Sequence, residues 1–157
     1  MKKLLLITLI ILVITSLACI TTQQTPELIT KINQVRQDNN LKPLNYTTRL
    51  DDFAQYRFNQ VDPNNLSHKN LRHDYAKFMG RYLENGAVAT CGEIILKSYA
   101  PCKNFDYYDI DDYINFWLNS PTHRAVILNE TFENIGCYIG YKDVFTIIIV
   151  VEFDTLY

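Results

Sequence analysis

Glycine and proline are scarce in this chain, five of each in 157 residues. So small a supply excludes a collagen-like repeat and a Pro/Gly-rich disordered tail. An excess of positive charge is missing too: 15 Lys and Arg stand against 17 Asp and Glu, a formal net charge of −2. The basic footprint of a nucleic-acid-binding domain is therefore absent. There is no internal repeat, and the one long apolar run sits at the start of the chain, which excludes a multi-span membrane protein. The length suits one domain, by the usual rate of about 100–200 residues each.

That apolar run has a recognisable design. Met1-Lys2-Lys3 supplies a positive start, and residues 4–18 are almost all apolar, closing on the small pair Ala18-Cys19. This is the pattern of an export signal over residues 1–18. Three fates are open: cleavage as a signal peptide, lipidation of Cys19 through the lipoprotein-like box Ser16-Leu17-Ala18-Cys19, or retention as an anchor. The run is short of the roughly 20 residues that span a bilayer. Each fate places the domain outside the cytosol, with the N-terminal signal or a lipid as its only membrane contact. Losing residues 1–18 removes two lysines and leaves a more acidic mature chain.

Cysteine is sparse, at four. Besides Cys19 there are Cys91, Cys102 and Cys137, and an oxidising compartment permits one disulfide. Cys91 with Cys102 closes the shortest loop and is the expected pair.

After a linker over residues 19–26, Thr25-Pro26-Glu27 makes a helix start, and Leu28, Ile32 and Val35 share one face until Asn39-Asn40. A second stripe runs Leu50, Phe53, Ala54, Phe58 and Val61, stopped by Asp62-Pro63. A weaker third runs Leu71, Tyr75, Phe78 and Tyr82. The clearest has Asp109 as N-cap before Ile110, Tyr113, Ile114 and Trp117, ending at Ser120-Pro121; Trp117 completes the stripe and belongs in the core. Ser120-Pro121 then caps a short helix through Leu128. Glu93 to Leu96 reads as a short strand. Ile135 to Tyr141, a Lys142-Asp143 turn and Val144 to Phe153 read as a hairpin, whose β-branched run Ile147 to Val151 is apolar on both faces. A strand apolar on both faces is covered on both. The fold class is therefore α/β, with helices on either side of a small antiparallel sheet.

The landmarks fall in a telling order: Asn33-Gln34-Val35-Arg36, Leu41-Lys42-Pro43-Leu44, Ser67-His68, Gly92-Glu93, Trp117-Leu118-Asn119-Ser120-Pro121-Thr122-His123-Arg124, Ile127-Leu128-Asn129 and Ile135-Gly136. Over residues 27–153 the chain closely resembles the CAP superfamily, the cysteine-rich secretory, antigen 5 and pathogenesis-related 1 proteins or SCP domains, in its prokaryotic-type branch. The Trp-x-x-Ser-Pro-x-His-Arg stretch is its most specific element. The resemblance implies an α-β-α sandwich over residues 27–157, a secreted or surface protein, and a cleft where His68, Glu93 and His123 meet. Ser120 stands where many eukaryotic members carry a second glutamate, and Ile94 where the family usually has asparagine. The C-terminal partner cysteines of the disulfide-rich members are missing, so their pairing does not carry over.

His68, Glu93 and His123 are too far apart in sequence for a local metal motif. Brought together as the resemblance implies, two imidazoles can hold zinc or another divalent ion, with Glu93 as third ligand, hydrogen-bond partner or general base. Alternatively, His123 and Glu93 hydrogen-bond each other and hold a helix on the sheet. At the start of its helix, His123 has its pKa lowered by the dipole. Tyr99, Tyr107 and Tyr108 offer an aromatic rim. The expected function is an extracellular binding module for a lipid, peptide or cell-surface component at the His68, Glu93, Ser120 and His123 cleft, not a conventional enzyme. A weak metal-dependent hydrolase and a structural surface protein are the alternatives.

Overall fold

The computed structural model describes residues 25–80, 89–99 and 109–156. The export segment, Cys19, Cys102, Tyr107 and Tyr108 lie outside the described residues.

Helix α1 covers residues 25–38 and is already helical at Thr25, one position earlier than the Pro26 start expected. Asn40 ends it in the left-handed region at φ 60°, a conformation asparagine tolerates better than most residues. Leu28 and Ile32 are fully buried, and so is Arg36 one turn on. A buried guanidinium needs its donors satisfied. Arg36 donates to the carbonyl oxygens of Lys42 at 3.0 Å, Ile127 at 2.7 Å and Asn129 at 2.9 Å. Asn33 exchanges two bonds with the backbone of Leu44, at 3.0 and 2.7 Å. The Asn33–Arg36 pair thus clamps distant loops onto α1.

Strand β1 is only Asn45–Tyr46, and helix α2 follows as Thr48–Gln60, burying Leu50, Phe53, Ala54, Arg57 and Phe58. Helix α3 is Leu71–Met79, strand β2 Cys91–Tyr99, helix α4 Ile110–Asn119 and helix α5 Pro121–Ile127. Strands β3, Asn134–Tyr141, and β4, Thr146–Asp154, complete the sheet. Asp109 caps α4 as expected, its carboxylate accepting from the Asp111 N–H at 3.3 Å. Strand β2 is longer than the expected Glu93–Leu96. The hairpin turn is longer than Lys142-Asp143: Asp143 accepts from the N–H groups of Phe145 and Thr146, both at 2.8 Å, and the Lys142 N–H reaches the Thr146 carbonyl at 2.9 Å.

The strand order is β1-β3-β4-β2. The expected antiparallel sheet is found in β3–β4 and β4–β2, but β1 pairs with β3 in parallel, which makes the sheet mixed. A two-residue strand carries too little alternation to be seen in sequence. All nine residues of β4 are buried. Its Ile147, Ile149, Val151 and Phe153 pack with Leu28, Ile32, Ile114, Trp117 and Ile127 of α1, α4 and α5. Its Ile148 and Val150 pack with Ala54 and Phe58 of α2. That is the α-β-α sandwich, with α2 close enough that a Cβ on Gly136 would lie 2.5 Å from the Leu50–Asp51 backbone. Trp117 is fully buried in the core, as its place in the stripe predicts.

Candidate functional site

The site lies at the β2 edge of the sheet, where the loop after α2 and the start of α5 approach each other. Glu93 on β2 is buried at 4% exposure. Arg57 of α2 grips it with two bonds, Nε to Oε2 at 2.8 Å and Nη2 to Oε1 at 3.0 Å. The third donor group of Arg57, Nη1, bonds Asp74 of α3 at 2.6 Å and the Lys69 carbonyl at 3.3 Å. One guanidinium therefore joins a strand, a helix and the histidine loop.

His68 sits in that loop with its Nδ1 at 2.9 Å from Glu93 Oε1 and half of its side chain exposed. The loop is shaped locally: Asp62 accepts from the Asn64 N–H, Ser67 Oγ from the Lys69 N–H, and Asn70 turns left-handed at φ 65° into α3. Lys97 of β2 donates to the Pro63 carbonyl at 2.7 Å and ties the loop to the sheet. His123, in α5, faces His68 with ring centroids 6.3 Å apart and planes at 63°. Its Nδ1 lies 2.8 Å from Ser120 Oγ, which in turn lies 3.2 Å from Thr122 Oγ1.

Two expectations are corrected here. Ser120 occupies the N-cap position of α5 before Pro121, but its side chain makes no cap bond; its hydroxyl is turned onto His123 instead. Nor do Glu93 and His123 hydrogen-bond each other: Glu93 is bound by His68 and Arg57. Helix α5 is held against the sheet by core residues such as Ile127, not by that pair.

Burial raises the Glu93 pKa, but the hydrogen bonds from His68 and Arg57, with the Arg57 charge, outweigh it and bring the group down to about 2. His123 is lowered, by burial and by the nearby His68. The cause expected from sequence was the helix dipole, and the direction is the same. A lowered pKa keeps the ring neutral and able to ligate.

Sequence reasoning missed three members. They are Arg57, which binds Glu93, Asp74, which binds Arg57, and Glu152, which lies directly opposite Glu93 in the strand register. Glu152 is fully buried, and neither carboxyl oxygen has a hydrogen-bond partner among the described residues. Burial and the Glu93 charge raise its pKa well above the usual value, opposite in direction to Glu93. Signals were present: Arg57 falls on the apolar stripe of α2, and Glu152 interrupts the apolar run from Ile147 to Phe153.

The fit to a divalent ion can be read from the donors. Among the described residues no hydrogen bond reaches Nε2 of His68 or of His123; each ring is bonded through Nδ1. Both Glu93 oxygens are already engaged, and no set of three or more potential ligands occurs among the described residues. Two imidazoles with ring centroids 6.3 Å apart would be the protein donors to such an ion, with Glu93 as an outer partner of His68.

A match to the family model of the CAP, or cysteine-rich secretory protein, family covers residues 29–153. The chain belongs to the CAP family. Solved structures agree on the CAP fold. An outer surface protein of Borrelia burgdorferi aligns with a TM-score of 0.63 and 22% identity over 84% of this chain and 92% of its own. A cysteine-rich secretory protein of Staphylococcus aureus gives 0.64 and 19%, over 86% of this chain and 39% of that one. An extracellular SCP-domain protein of Bacillus anthracis gives 0.61 and 23%, over 85% and 41%. This CAP chain thus spans about two fifths of the last two. No curated protein sequence matches it. Among the described residues, no helix is long and apolar enough to cross a membrane.

Of the remaining expectations, Cys91 has no disulfide partner among the described residues, and its expected partner Cys102 lies outside them. Tyr99 is exposed at the end of β2.

Proposed function

We propose that this CAP domain is an extracellular binding module, secreted or tethered at Cys19, that takes a cell-surface component at the His68–His123 cleft. The state of Glu93 carries the reading. A general base works best with a pKa near the operating pH. A carboxylate held at about 2 by its bonds to His68 and Arg57 is a poor proton acceptor, and its oxygens are committed. What the site offers is two imidazole nitrogens, each ring held through its Nδ1. A divalent ion such as zinc, held by His68 and His123, would supply a Lewis-acid contact for an oxygen of the ligand. Glu93 orients the His68 ring, and Ser120 orients that of His123.

The test is a zinc titration followed through the histidine ring resonances. His68→Ala and His123→Ala should each remove the response while the protein stays folded, and ester and peptide hydrolysis should be absent throughout. A hydrolytic activity that Glu93→Gln abolishes would overturn the reading in favour of a metal-dependent hydrolase. Lipid labelling of the wild type against Cys19→Ser tests the tether separately.

A further inference from the structure

Away from the histidine cleft, beside the β1–β3 edge of the sheet, a cavity of about 540 Å³ opens between the start of α1 and the start of α2. Its size is that of a small-molecule site, for which about 300–1,000 Å³ is usual. The walls are mainly apolar: Pro26 and Ile29 from α1, Tyr46 from β1, and Tyr138 and Ile139 from β3. Among the described residues that line it there is one carboxyl group, Asp51, and no lysine, arginine or histidine.

Asp51 is placed firmly. Its Oδ1 accepts from the Cys137 N–H at 2.8 Å and its Oδ2 from the Tyr46 hydroxyl. A carboxylate has about four acceptor sites, so these two bonds leave others open. No ion pair to Asp51 occurs among the described residues, in contrast to Glu93, Asp74 and Asp154. The other polar groups of the cavity bring neither a positive charge nor a nucleophile. The Tyr46 phenol is pushed up to about 12 by its bond to Asp51, and complete burial pushes the Cys137 thiol far up. Such a thiol is inert. The cavity is equipped to bind and not to react.

An apolar chamber with two tyrosine rings and one carboxylate lacking a counter-ion is complementary to a cation with an apolar body. The ammonium would meet the carboxylate and the ring faces, and the hydrocarbon would cover the apolar wall. We infer that this cavity is a second binding site, independent of the histidine cleft, for a small organic ammonium carrying an alkyl or aryl group.

Three octyl probes of equal chain length separate charge from hydrophobicity: octyltrimethylammonium, 1-octanol and octyl sulfate, each titrated into the protein while the Cys137, Tyr138 and Ile139 amides are followed. The ammonium should bind at least about tenfold more tightly than the alcohol, and the sulfate more weakly than either. Asp51→Asn keeps an acceptor for Cys137 and should erase the ammonium's preference while leaving the alcohol's affinity in place. Thr30→Trp, on the exposed rim, should weaken all three without unfolding α1. His68→Ala should change none of them. Equal or tighter binding of octanol or octyl sulfate, an ammonium preference that survives Asp51→Asn, or a response at His68 and His123 in place of the β3 amides would each overturn the assignment. So would the failure of all three probes to bind.

Discussion

Glu152 and Asp154 are two residues apart on the same face of β4, both without exposure to solvent, and their surroundings are opposite. Asp154 is saturated: Arg49 reaches it twice, at 2.9 and 3.2 Å, Tyr75 donates at 2.6 Å, Asn134 at 2.8 Å and the Leu156 N–H at 3.2 Å. Glu152 has no such partner, and the nearest cation, Arg57, is spent on Glu93 and Asp74. The same side-chain chemistry at the same depth thus serves two ends. Asp154 is a fastener that joins α2, α3 and the C-terminal residues to the sheet. Glu152 is a buried acid beside Glu93, its pKa raised by burial and by the Glu93 charge. Burial alone does not decide the charge of a carboxyl; the donors that reach it do.

The largest effect expected from this contrast is at the fastener. Asp154→Ala leaves the Tyr75 hydroxyl, the Asn134 amide and Arg49 without their shared acceptor, and should cost about 3–5 kcal/mol in urea unfolding. A loss under about 1 kcal/mol would mean that those donors find other acceptors. Next comes Arg57→Leu, which strips the counter-ion from Glu93 and Asp74 and should cost about 3 kcal/mol. Adding Glu93→Leu should recover part of that, since one uncompensated carboxylate is then gone; a strictly additive pair would contradict the geometry.

Acidity separates the two glutamates by sign. Glu93 is lowered, so its contribution is present above the ordinary value of 4.5 and is lost as the pH falls towards about 2. Glu152 is raised, so the folded form holds a proton that the unfolded form releases above 4.5, and its contribution is lost as the pH rises from there. Stability measured against pH should therefore decline on the alkaline side of 4.5 through Glu152. The smallest change is expected from Glu152→Gln, an isostere with no charge to release. It should shift stability near pH 4.5 by under about 1 kcal/mol and flatten the decline above it. An unchanged slope would place the proton elsewhere.

Much of the architecture was legible from residue order. The run Ile147 to Val151 announced a strand covered on both faces, and Asp109 before Ile110 announced the start of α4, because both signals are local and periodic. His68, Glu93, Ser120 and His123 were recognised as a group through resemblance to the CAP family, and the structure brings His68 to Glu93 and His123, and Ser120 to His123. Their bonding was not legible. Ser120-Pro121 has the form of a cap, yet its hydroxyl has an imidazole within reach that no local rule anticipates. Arg57 and Glu93 are 36 positions apart, and only the packing of α2 on β2 and β4 makes them one ion pair.

The sequence by itself determined the longer helices, the β3–β4 hairpin and the faces they bury, since these depend on periods of two and of 3.6 residues carried within each segment. Tertiary structure alone decided which donors reach each buried carboxyl, where two imidazole rings meet, and that a cavity beside β3 holds Asp51 with no ion pair among the described residues. Those properties belong to distances between segments remote in the chain, and charge in a buried place is set by whatever the fold brings within a few ångströms of it.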